Sequence, residues 1–233
     1  MDWKLAVSRN REQLRGIVAA LFVLARMRVG GVLVVLPRSV LAAIMLVLRP
    51  AESAVRRLIV IAAAGLGTVG PNRRDVDASR LARLRDLRQL HPVFRTRAFQ
   101  LFDPLKTFDM EALWDCEAPA YQSWYVNHDS AFSAAPQPAP DDPPINAAHI
   151  GQRLNALMRA LDDLPRQARR LACWRARRDR ALAENRPLRP ARLSTLRPGL
   201  PPGWRERAVH EIDPVLRECH ALAGYLPDAP DSS

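Results

Sequence analysis

The hydrophobic positions of this chain are crowded into its first third. Three apolar runs, 17–25, 29–48 and 58–70, alternate with arginines, glycines and prolines. In the first, Leu14, Ile17, Val18, Leu21 and Ala25 recur at helical spacing, while Arg11, Arg15 and Arg26 form a narrow polar stripe that Phe22 interrupts. Ser8 is placed to cap this helix, because its hydroxyl can accept from a free backbone N–H of the first turn. Gly30 and Gly31 are expected to end it. Pro37 and Pro50 each suit a first helical turn, which predicts two further helices near 38–48 and 51–67. Arg38, Ala42, Met45, Arg49, Glu52 and Arg56 keep a 4-3 spacing. Their common stripe is expected to hold only within each segment, since proline breaks a helix interior.

Spanning a bilayer takes roughly 20 apolar residues. Of the three runs only 29–48 has that length, and Pro37 and Arg38 stand near its centre. A central arginine costs about 2.5–3.5 kcal/mol against about 0.3–0.6 returned by each aliphatic residue, so insertion comes out near balance. The working expectation is short helices lying on a membrane surface. A single span over 29–48 and a soluble bundle burying the same runs are the alternatives.

Beyond Pro71-Asn72, Leu81, Leu84 and Leu87 among arginines predict a basic helix over 79–90. Residues 101–145 read as a linker with a Pro-rich, disordered tail from 134 to 144. It carries seven aromatic rings among eight acidic residues and one lysine. Its Leu101-Phe102-Asp103-Pro104 stretch and Phe108-Asp109 suggest a docking motif centred on Phe102, Asp103 and Phe108. A loop packing its rings on the chain's own helices competes with that reading.

From Ile150 the apolar positions Leu154, Leu157, Leu161, Leu164, Ala168 and Leu171 follow a heptad-like seam that Pro165 interrupts. The expected solution is one helix to about Asp162 and a second capped by Asp163, with a kinked single helix as the alternative. The second part carries Arg166, Arg169, Arg170, Arg175, Arg177, Arg178 and Arg180 around Trp174. Of these, Arg166, Arg169, Arg170, Arg175, Arg177 and Arg178 are the candidate contacts to an anionic surface, either lipid headgroups or nucleic acid. A solvated basic face with Trp174 in the core is the plainer reading. The prolines of 187–202 predict an extended strap. A last helix near 205–223, with Pro214 in its middle or its first turn, is expected to return antiparallel onto the 150–183 helices.

The expected fold is therefore all-α: short amphipathic or apolar N-terminal helices and a C-terminal helical hairpin-like unit, joined by a disordered Pro-rich acidic linker. The expected segments are 1–70, 71–100, 101–145, 146–224 and a disordered tail at 225–233.

Composition sharpens this only in part. The chain has 233 residues and a formal net charge of +11, carried by 33 arginines and two lysines. The charge is blocky: 101–145 is acidic and is flanked by basic segments. Three widely spaced cysteines, Cys116, Cys173 and Cys219, fit neither a disulfide framework nor a zinc finger and suit a reducing compartment. Asp2 and Glu12 argue against a signal peptide. His210, Glu211, Cys219 and His220 come nearest to a metal set, but the two pairs lie too far apart on one helix to share an ion. No phosphate-binding loop, nucleophile elbow or zinc-protease motif occurs, and no catalytic residue or cofactor is assigned.

Several stretches, among them Leu48-Arg49-Pro50-Ala51-Glu52-Ser53-Ala54, Ala98-Phe99-Gln100-Leu101-Phe102-Asp103-Pro104 and Asp162-Asp163-Leu164-Pro165-Arg166, resemble a group of uncharacterised bacterial proteins. That resemblance implies no activity. The leading functional expectation is a non-enzymatic, membrane-associated adaptor or structural protein at the cytoplasmic face of a bacterial inner membrane, or in the cytoplasm. An anionic membrane surface, an unidentified protein and nucleic acid are its candidate partners, and no small-molecule substrate is evident. A nucleic-acid-associated basic protein and a soluble helical scaffold are the alternatives.

Overall fold

A computed structural model describes residues 3–66, 97–104, 142–185 and 194–226. The expected basic helix over 79–90, Phe108, most of the linker and the end of the tail lie outside these residues. The described part is mostly helical: α1 (Trp3–Leu24), α2 (Arg38–Ala64), α3 (Ala148–Asp162), α4 (Leu164–Ala183) and α5 (Ile212–Gly224). A short antiparallel ribbon pairs β1 (Val35–Pro37) with β2 (Pro144–Asn146), Leu36 facing Ile145.

Helix α1 buries the face its spacing marks, Leu14, Ile17, Val18, Leu21 and Phe22, so the ring that interrupted the polar stripe is a core residue. It begins upstream of Ser8, which is exposed inside the helix and caps nothing. Trp3, Ala6 and Val7 pack against the core, and that packing carries the helix past the local capping signal. The helix ends before the glycines. Arg26 takes φ 49°, with Arg26 N–H donating to Val23 O and Met27 N–H to Phe22 O, the Schellman pattern built on an arginine instead of glycine.

A span over 29–48 is overturned by the backbone. The run crosses a turn at Gly30 and a strand before α2 begins at Arg38. Among the described residues no helix is long and apolar enough to cross a membrane.

Helix α2 is one element, not two, and runs through Pro50. A proline at that position leaves the carbonyl four residues earlier without its helical donor. Here Arg205 supplies one: its Nη2 donates to Leu46 O at 2.7 Å, while its Nη1 is held by Asp213 at 2.7 Å. The segment carrying Arg205 crosses close over Pro50. Gly203, at φ 81°, has room for no Cβ, which would stand 2.7 Å from the proline ring. From Pro50 to Ile61 every residue of α2 except Glu52 is buried, so this helix is the axis of the molecule.

The seam of 150–171 forms as expected. Ile150, Leu154, Leu157 and Leu161 are fully buried, and the chain breaks at Asp163, whose side chain accepts from Arg166 N at 3.2 Å with Pro165 in the first turn of α4. The helices on either side of this break do not close on each other. Helix α3 packs chiefly on α1, and α4 on α2. Helix α5, with Pro214 in its first turn, packs on α2 and α1 and does not return onto the 150–183 helices. One hydrophobic cluster thus takes in side chains from all five helices.

Candidate functional site

Inside this core α2 places Ser53, Arg56 and Arg57. The two guanidiniums, 4% and 1% exposed, converge on Asp103, itself 1% exposed. Arg56 Nη1 donates to Asp103 Oδ1 at 3.2 Å and Arg57 Nη2 to Oδ2 at 3.4 Å. The network runs outward from there. Arg56 also donates to Gln100 O (3.0 Å) and to Glu52 Oε2 (3.4 Å), and Glu52 receives a two-point contact from Arg153 at 2.9 and 3.0 Å. On the other side Arg57 donates to Ser53 Oγ at 2.6 Å and to His220 Nδ1 at 3.4 Å, and Arg197 N–H donates to Asp103 at 3.3 Å. Asp103 N–H donates to Thr195 O, which ties two otherwise irregular segments together over α2. Burial pushes Arg57 below the usual arginine range, and the Asp103 carboxylate acts against that.

Two of the three docking-motif residues are therefore occupied within the chain. Asp103 is the hub of the buried network, and Phe102 packs edge-on against Trp174 with ring centroids 5.0 Å apart. Phe108 lies outside the described residues. A cavity of about 260 Å³ opens beside the network, lined by Glu52, Arg56, Arg97, Phe99, His149 and Arg153 among others. Its deeper cations, Arg56 and Arg153, are committed to Asp103 and Glu52.

Of the histidine and cysteine groups near the end of the chain, Cys219 and His220 lie on α5 and His210 just before it. Burial drives the Cys219 thiol up to about 12, which removes it as a nucleophile at neutral pH. His220 accepts from Arg57 and stacks edge-on with Trp204 at 5.6 Å. Among the described residues no group of His, Cys, Asp and Glu is arranged to hold a metal ion. Burial lowers the pKa of His220 and of His210, with Arg57 and Arg205 respectively adding to it. In the unfolded chain both return to about 6.5, so below that pH the unfolded state binds more protons than the folded one. Stability is then fully present above about pH 6.5 and is lost as pH falls. The midpoint of urea unfolding is expected to drop between about pH 7.5 and about pH 5.5, and less steeply in His220→Gln. A midpoint that rises on acidification would show that these histidines bind protons more readily in the fold.

The arginines of α4 are distributed by helical geometry. At 3.6 residues per turn Arg166, Arg169, Arg170, Arg177 and Arg180 share one face, whereas Arg175 points to the opposite side and Arg178 to a flank. The five on the shared face are exposed. Arg170 spends one nitrogen on Phe99 O at 2.8 Å, and burial together with neighbouring Arg166 lowers its pKa. Arg178 lies over the Trp174 ring at 5.5 Å and pairs with Asp179, the single acid of this helix. Trp174 is thus held between Phe102 and Arg178, as the plainer reading of this helix expected, and is not presented for stacking on a base.

A second exposed feature follows α1. Val23, Val29, Val32, Val34 and Val35 are 50–78% exposed, while Met27, Leu33 and Leu36 between them point into the core. Asn155 of α3 fixes the turn by accepting from Gly30 N–H at 2.7 Å and donating to Gly31 O at 2.9 Å. No family model, curated protein or solved structure matches the chain.

Proposed function

We propose that this is a non-enzymatic helical protein that docks on an anionic membrane surface through the arginine face of α4. The observation that carries the reading is the alignment of Arg166, Arg169, Arg170, Arg177 and Arg180 on one exposed helical face that bears no acidic side chain between them. From Arg166 to Arg180 the row is about 21 Å long, the scale of several lipid headgroups. Each basic side chain near an anionic leaflet contributes about 1 kcal/mol, and the attraction decays within a Debye length. The membrane role then belongs to a surface contact and not to a span, which fits the use of the apolar first third as protein core.

The same row fits the phosphates of nucleic acid, and its linear spacing favours that as the second reading. With Trp174 held internally, such binding would be to the backbone and indifferent to sequence. The test is a salt titration of the full chain against phosphatidylglycerol-containing vesicles and against duplex DNA. Replacing Arg166, Arg169, Arg177 and Arg180 by alanine is expected to weaken vesicle binding at low salt about 1000-fold, with the melting curve unchanged. Vesicle binding unaffected by these substitutions would overturn the assignment. Binding to DNA alone would transfer the row to the second reading.

A further inference from the structure

The end of α1 and the turn after it carry more exposed aliphatic surface than a solvated loop requires. Val29, Val32 and Val34 are each about three-fifths exposed and Val23 nearly four-fifths. This exposure does not come from a loose segment. Leu33 and Leu36 anchor the run from below, Asn155 brackets the turn with two hydrogen bonds, and Gly151 of α3 lies so close under Leu33 that a Cβ there would meet the leucine at 2.7 Å. The backbone is held, and the valines on its outer side are presented to the surroundings.

Along the chain, the charge beside these valines has one sign. No acidic residue occurs between Glu12 and Glu52, and Arg26 and Arg28 stand exposed inside the apolar stretch with no carboxylate partner among the described residues. The nearest acid along the ribbon, Asp142, is engaged with Ser39. Aliphatic side chains flanked by unpaired arginines match the boundary of an anionic bilayer, where acyl chains take the valines and phosphates take the guanidiniums. A second copy of the chain fits poorly. A two-fold contact through this patch would set Arg26 and Arg28 against their own counterparts.

We propose that the 23–35 turn is a bilayer-insertion site, with Val29, Val32 and Val34 entering the acyl boundary and Arg26 and Arg28 binding headgroup phosphates. It rests on the membrane part of the proposed function, yet on residues separate from the α4 row, and the two contacts respond differently to salt. Long-range attraction by α4 is screened at high salt, whereas burial of aliphatic surface persists.

The test uses the full chain and vesicles of phosphatidylcholine with phosphatidylglycerol. The double variant Val32→Asp, Val34→Asp is expected to lose binding at high salt by about tenfold or more, while its melting curve matches the parent, because both positions are already in water. Against the background of the parent's five tryptophans, the emission added by a Val29→Trp substitution is expected to shift to the blue on the vesicles and to be quenched by lipids brominated along their chains. Unchanged high-salt binding in the double variant, with no shift from the added tryptophan, would overturn the proposal. So would a parent that is dimeric where the double variant is monomeric. Loss of binding in the turn variant but none in the α4 variant would leave this site standing and remove the α4 row. The opposite pattern would remove this site and leave the row.

Discussion

Replacing Asp103 by alanine is expected to lower stability by about 3–5 kcal/mol, because it removes the buried carboxylate that two guanidiniums share and leaves Arg57 without one. Arg56 would keep Glu52 and the Gln100 carbonyl, but among the described residues Arg57, 1% exposed, would keep hydrogen bonds only to Ser53 and His220. The backbone would loosen too, since Asp103 receives Arg197 N–H and anchors its own N–H on Thr195. Domains of this size are commonly stable by about 5–15 kcal/mol, so the loss is a large part of the whole. Urea unfolding measures it directly. Asp103→Asn is expected to fall between the parent and alanine, keeping one acceptor but no charge. Adding Arg57→Met to Asp103→Ala is expected to recover part of the loss, because it removes the uncompensated buried cation. An alanine variant that unfolds with the parent's midpoint would mean that Asp103 is not the hub of the network.

What the sequence made legible was local. The break at Asp163 was readable because a cap, a proline in the first turn and a continuing leucine seam agree there, and the α1 face was readable because its apolar spacing is regular. What escaped was decided by distant residues. Pro50 looked like a helix start because proline usually is one. It sits instead inside α2, and the reason is Arg205, on a segment more than a hundred positions away, which serves the carbonyl that the proline leaves without a donor. Likewise Arg56 appeared as part of a charged stripe and Asp103 as part of an exposed motif. Each is a costly residue to bury alone, and neither position carries a signal for the other. The Leu101-Phe102-Asp103-Pro104 stretch held the one available clue, an acid set among apolar residues, which is also how a carboxylate facing inward looks.

The same distinction applies to the arginines of α4. Periodicity alone separates Arg166, Arg169, Arg170, Arg177 and Arg180 from Arg175 and Arg178. The engagement of Trp174 by Phe102 needed the fold. The outward valines of 23–35 were hidden for another reason. Val29, Val32, Val34 and Val35 belong to an apolar run long enough to suggest a span, and only the turn at Gly30 and the ribbon with 144–146 place them outward while Leu33 and Leu36 point inward.

The apolar first third is protein core shared with the C-terminal helices. Urea unfolding of a fragment spanning residues 142–226, followed by circular dichroism and amide exchange, tests this. In the full chain the buried seam of α3 rests on α1, and α4 and α5 rest on α2, so the fragment lacks the surfaces that cover its leucines. No cooperative transition and no protected amides are expected in the fragment, against a single cooperative transition in the full chain. A fragment that unfolds cooperatively with protected amides in α3 and α5 would contradict a shared core, and would return residues 1–66 to the role of a separate attachment.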